Sequence, residues 1–209
     1  MRLIPLCLFV CLGVASGAPP ANWSANYAPC NRHSELLKRG HMDLGVRVAT
    51  ANPFLAEQFR RALDAWAIVL DLDWHEDQTE NCSMELVDGE SELFQSAPGL
   101  MVARSQFPDR LDFQGWIAFN PAHTLNERTL YWTSLHEIGH MFGLQHSSNA
   151  KSVMYGFGLD DQEWLDQDDL EALAAHHKLR VESVDKPVRL MRPAESIPAF
   201  SPDSAGTTP

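Results

Sequence analysis

Between residues 136 and 146 the chain reads His-Glu-Ile-Gly-His-Met-Phe-Gly-Leu-Gln-His, and no other stretch constrains the backbone as tightly. Histidines four apart on a helix lie on one face about a turn apart, so the imidazoles of His136 and His140 can converge on a single ion. Glu137 sits beside that face without belonging to the ligand set. A third imidazole, His146, cannot reach the same point along the same helix. The chain has to turn back first, and Gly143 supplies a residue that takes positive φ and ends a helix. The pattern predicts a helix over Thr129–Phe142 that stops at Gly143.

Three neutral imidazoles without a thiolate suit a zinc ion with its fourth position open to water rather than a closed structural site. The ion brings the pKa of that water down towards about 7, and Glu137 can take the proton and later pass it to a leaving amine. That is peptide-bond hydrolysis without a covalent intermediate. Requiring Gly143 and His146 in addition to the short pattern, in a chain with 12 Gly and 9 His among 209 residues, multiplies the odds against chance by about 400.

The length suits one hydrophobic core. Sixteen Lys and Arg stand against 28 Asp and Glu, a formal charge of −12, which argues against a surface that neutralises nucleic acid. Arg2, the apolar run Leu3–Val14 and the small residues Ala15 to Ala18 read as a signal peptide over 1–18. Nothing downstream is apolar enough to span a bilayer. A secreted, periplasmic or extracellular location follows. The expected organisation is an N-terminal arm over 19–40, a catalytic domain over 41–180, and a disordered tail over 181–209 rich in Pro and Ser without apolar period. Export leaves Cys30 and Cys82 in an oxidising compartment. A disulfide between them is the preferred reading, worth on the order of 4 kcal/mol by the chain-entropy argument; the alternative makes Cys30 a thiolate latch on the metal.

Alternating Leu44, Val46 and Val48 give a first strand. Asn52 and Pro53 cap a helix whose apolar residues Leu55, Phe59, Leu63, Trp66 and Leu70 recur every three or four positions. Leu72 and Trp74 return the chain as a parallel strand. Further strands are expected over Cys82–Val87, Leu100–Ser105 and Trp116–Phe119, and a third helix over Gln167–His177. Asp168 and Asp169 suit its start, as His176 and His177 suit its end. The acidic run Asp160, Asp161, Glu163, Asp166, Asp168, Asp169 lacks the spacing of a calcium loop and reads as a solvated helix start. His33, His41, His75 and His123 have no partner at ligand spacing.

The long histidine motif, followed by Ser152-Val153-Met154-Tyr155-Gly156, resembles the metzincins, and Ser147, Ser148, Tyr155 and the run Leu165-Asp166-Gln167-Asp168-Asp169 make the chain most similar to the matrixins. The resemblance covers about 44–178. It implies an α+β fold: a twisted, mostly parallel five-stranded sheet with two helices in an upper lobe, a small lower lobe with one C-terminal helix, and an active-site cleft between. Met154 would form the methionine turn beneath the metal, and Tyr155 is not placed as a ligand. Extended substrate would pair with the edge strand at Leu100, Met101, Val102 and Ala103, while Tyr155 and Phe157 would line the pocket after the scissile bond; packing into the lower lobe is the alternative for Phe157. The family's structural-zinc histidines and calcium loop are not recognisable between Val87 and Phe119. One catalytic Zn2+ is therefore expected, and Ca2+ is left open. The expectation is a monomeric secreted zinc endopeptidase acting on protein or peptide substrates. A cell-wall peptide amidase or endopeptidase, and a catalytically silent zinc-dependent binding module, are the alternatives. Glu137 counts against the last, since a pure binder has no need of a base.

Overall fold

The computed structural model describes residues 40–78, 82–95, 101–106, 115–157, 162–181 and 185–190. Strand β1 (Met42–Ala49) leads into helix α1 (Pro53–Val69), and the chain returns as β2 (Leu72–Glu76), parallel to β1. Asn52 caps α1 by accepting from the N–H groups of Phe54 and Leu55, and Pro53 occupies the first turn, where its missing N–H is not needed. The apolar period of α1 is its buried face: Leu55, Phe59, Leu63, Trp66 and Val69 all lie in the core. Strands β3 (Met84–Asp88) and β5 (Gly115–Phe119) extend the parallel sheet, and β4 (Ala103–Gln106) closes one edge antiparallel to β5. The order β2-β1-β3-β5-β4 makes a five-stranded, mostly parallel sheet. With its helices this is the α+β architecture expected.

Helix α2 (Glu127–Met141) starts two residues before its expected position, capped by Asn126 through the N–H of Thr129 at 2.9 Å. It packs on α1 around Trp66, whose indole N–H donates to the Leu135 carbonyl at 3.1 Å and whose ring meets Phe142 edge-on. Gly143 takes φ +95° and ends the helix as required. Beyond it the described residues hold little regular structure. Two-residue β6 (Trp164–Leu165) precedes α3 (Gln167–His176), which opens with a reciprocal capping box between Asp166 and Asp169. Among the described residues no helix is long and apolar enough to cross a membrane.

Several expectations need correction. The stretch read as a tail contains β7 (Val188–Arg189), antiparallel to β6, and Leu190 beyond it is buried in the core. Cys82 is a buried free thiol, so the expected Cys30–Cys82 disulfide is not formed in this structure; Cys30 lies outside the described residues. Burial raises the Cys82 pKa, with the nearby Glu85 adding to the effect. The start of α3 is not simply solvated: Asp169 is fully buried. Asp160 and Asp161 lie outside the described residues. His177 is likewise buried and bonds the Phe142 carbonyl through Nε2 at 2.9 Å. His41 and His75 need no correction: they lie at the sheet surface outside the metal-capable group, facing Asp71 at 3.2 Å and Asp43 at 3.0 Å.

Candidate metal centre and active site

Two of the three histidines project from one face of α2, and the turn at Gly143 returns the third. Nitrogen atoms of His136, His140 and His146 lie within 4.8 Å of one another, and the three ring centroids are 4.6 to 5.1 Å apart. Backbone carbonyls fix two of these rings. Nδ1 of His136 donates to Val153 O at 2.8 Å, and Nδ1 of His140 donates to Leu144 O at 2.7 Å. A neutral ring that donates from Nδ1 presents a lone pair at Nε2.

The Nε2 atoms of His136 and His140 are 3.0 Å apart, so with these tautomers two lone pairs face each other. A proton does not resolve the conflict readily. Burial, and then the charge of His140, push His136 well below its ordinary pKa of 6.5, and burial lowers His146 in the same way. A divalent cation between the nitrogens does resolve it: tetrahedral zinc at its usual bond length holds two imidazole nitrogens about 3.3 Å apart. The donor set therefore fits zinc, with carbonyls orienting the ligands from behind.

Met154 is completely buried beneath α2. A side chain at Gly139, between the two helical histidines, would meet the Met154 sulfur at 2.4 Å and the Trp66 ring at 3.1 Å. A glycine inside a helix costs up to about 1 kcal/mol relative to alanine, and here it is what admits the methionine. Gly156 performs a similar service for His146, whose ring lies 3.1 Å from the position of a Cβ there. The turn is closed by the Ser147 N–H donating to Met154 O at 2.8 Å.

Glu137 is only 7% exposed. Burial raises its pKa; the charge of His140 and hydrogen bonds from the Ser105 N–H and side chain pull the other way. Ser105 lies on β4, so the edge strand touches the carboxylate directly. Neither the place of Ser105 beside Glu137 nor the packing of Gly139 on Met154 follows from the histidine motif itself. The helix-interior glycine was the available signal for the second, whereas the first depends on how β4 crosses α2.

Ala103 begins β4, and Met101 and Val102 before it are held by Asn120, whose N–H donates to Val102 O and whose side chain donates to Met101 O, both at 2.8 Å. Leu100 lies outside the described residues. Tyr155 is half-buried, and its ring contacts that of Phe157 at 5.8 Å. Phe157 is 79% exposed, which overturns packing into the lower lobe as its role.

Comparison with known proteins identifies the family. The matrixin family profile matches residues 48–178. A putative matrix metalloproteinase of Spodoptera frugiperda ascovirus 1a is 67% identical over 27 residues, 13% of this chain and 7% of that protein. Human matrix metalloproteinase-16 is 26% identical over 159 residues, covering 64% of this chain. The chain spans only 26% of that relative's length. The family match runs from the end of β1 through β6 and α3, taking in both large helices and the histidine turn just described, and covers more than half of the sequence; the chain belongs to the matrixins, a family of zinc metalloendopeptidases.

Proposed function

We propose that this chain is an endopeptidase that cuts protein or peptide substrates bound in extended form along β4, with Glu137 moving the proton. The observation that carries the reading is the paired carbonyl lock on His136 and His140, which turns Nε2 of both rings toward one point beside the buried Glu137. His136, His140 and His146 would hold one zinc, which when bound would supply Lewis acidity and lower the pKa of water there. Burial makes the Glu137 carboxylate a better proton acceptor than an exposed one. Ser105 holds its orientation through the N–H and hydroxyl, and the same carboxyl then delivers the proton to the departing amine. Met154 serves as the apolar floor.

Among the described residues β4 stands last in the sheet order, so its outer side, apart from the Ser105 N–H that holds Glu137, offers backbone groups to a substrate strand, with affinity from the main chain and preference from side-chain pockets. Leu100, Met101, Val102 and Ala103 lie on this path. Tyr155 and the exposed Phe157 line the pocket for the residue after the cut. Arg2 and the apolar run Leu3–Val14 support export, with 1–18 as the signal peptide, 19–40 as an arm and the catalytic domain extended to Leu190. A monomer suffices for this chemistry.

Incubation with a random peptide library, with new termini read by mass spectrometry, tests the proposal. We expect internal cleavage that a chelator abolishes and zinc restores. A library left intact, cleavage indifferent to chelation, or activity confined to peptidoglycan would overturn it.

A further inference from the structure

The family match ends at residue 178, yet the chain returns beside the methionine turn at β7. Trp164 and Leu165 on β6 pair with Arg189 and Val188. The Leu190 N–H donates to Glu163 O at 2.6 Å, and the Leu190 side chain is 2% exposed. Arg189 forms an ion pair with Glu163, and its guanidinium lies 6.0 Å from the centroid of the Trp164 ring. On its other side, Trp164 O accepts the Val153 N–H at 2.8 Å. The carbonyl of that same Val153 holds Nδ1 of His136.

An unbroken sequence of contacts thus runs from β7 through β6 and the Val153 peptide to the first histidine of the metal set. We infer that β7, with Arg189 and Leu190 as its anchors, is a positioning element for the metal centre, setting where the Val153 carbonyl holds the His136 ring. This rests on the reading of His136, His140 and His146 as the metal ligands. Without β7, Trp164–Leu165 loses its antiparallel partner and a core contact, and Val153 is held by a strand free to shift. Groups behind a metal ligand commonly alter metal affinity by about 10- to 100-fold. The lower end is expected here, because Ser147 also holds this turn through Met154 O.

The test uses the full chain with Leu190→Pro, which removes the N–H donated to Glu163, together with Arg189→Ala and Arg189→Lys. Zinc affinity is read by competition with a chromogenic chelator, and kcat and KM on a peptide substrate are read separately. Leu190→Pro is expected to weaken zinc binding by about tenfold and to lower kcat more than it raises KM. Arg189→Ala should have a smaller effect in the same direction, largely restored by Arg189→Lys. Leu72→Ala, in the core at the far edge of the sheet, controls for loss of stability: it should lower the melting temperature while leaving zinc affinity unchanged. Wild-type zinc affinity in a folded Leu190→Pro chain would overturn the inference. If that variant does not fold, unchanged zinc affinity in Arg189→Ala would overturn it equally. A wild-type chain that binds zinc but cleaves no peptide would instead count against the endopeptidase proposal and leave the affinity comparison intact.

Discussion

Up to Gly143 the chain buries aliphatic and aromatic side chains in regular elements, from Met42 and Leu44 on β1 through Phe59 and Trp66 on α1 to Leu135 and Phe142 at the end of α2. After Gly143 the described residues form one ten-residue helix and two strands of two residues. There the buried set includes Ser147, Ser152, Asp169 and His177. Ser152 Oγ donates to Asp169 at 2.7 Å and accepts the Met154 N–H at 2.9 Å, while Asp169 also accepts the Asp166 N–H. One region is ordered by apolar area, which tolerates small rearrangements. The other is ordered by directional bonds, whose buried partners are costly to leave unmade. The histidine group that could hold a metal draws on both, with His136 and His140 on α2 and His146 from the polar turn.

The largest expected effect separates ligand from base. Glu137→Ala should retain zinc and its melting temperature while hydrolysis falls by about 10²- to 10⁴-fold, the scale of a positioned general base. His146→Ala, on the other side of Gly143, should lose metal as well as activity. Elemental analysis beside a peptide assay checks both, and zinc loss in Glu137→Ala would make Glu137 a ligand or a support for one.

Next is pH dependence, concentrated in the polar half. Burial pushes Asp169 from 3.8 up to about 7, and pushes His177 from 6.5 down to about 4. The folded chain keeps the Asp169 proton where the unfolded chain has released it, so this contribution is full below about pH 4 and is lost as pH rises through about 7. For His177 the unfolded chain takes the extra proton, so stability is present above pH 6.5 and is lost as pH falls through about 4. Between about pH 4 and 6.5 the two slopes oppose, and each is worth up to about 4 kcal/mol. Asp169→Asn should make denaturation midpoints climb with pH across that window. His177→Gln should make them fall. Profiles unchanged from the wild type would place both groups outside the stability balance.

Gly139→Ala probes the seam between the halves. Alanine favours the helix, but its Cβ must displace the Met154 sulfur. A net loss of about 1–2 kcal/mol is expected from the overpacking, read by denaturant unfolding and accompanied by weaker zinc binding. A gain in stability would show that Met154 yields freely.

The same contrast explains what the sequence disclosed. The α1 cap at Asn52 and Pro53, its buried face, the parallel return at Leu72 and the positive φ of Gly143 follow from periodicity and backbone chemistry, which act locally. The histidine set was legible because its spacing is geometry written into the chain. Asp169 was not: an aspartate in a first helical turn reads as a dipole partner until Ser152 folds back over it. Strand β7 has two residues and no alternation, so only its partner at Trp164 reveals it. The contact of Ser105 with Glu137 required the crossing of β4 and α2. The disulfide was inferred from compartment and cysteine count, neither of which fixes where the two sulfurs lie.

The smallest effect on stability is expected at Phe157, and it bears on whether the polar half also selects substrate. The side chain is 79% exposed, between Gly156, whose backbone packs against His146, and the half of the chain that leads to β6. Its described ring contact is Tyr155. Removing an exposed ring with so little packing should change stability by no more than about 0.5 kcal/mol. If the ring forms a wall of the pocket after the scissile bond, however, Phe157→Ala should redistribute the residues accepted there by about 1 to 3 kcal/mol, a 10- to 200-fold change in relative kcat/KM. Zinc content should not move, because the ring is no part of the ligand set. A peptide-library profile superimposable on the wild type would remove Phe157 from the pocket and leave selection to β4 and Tyr155.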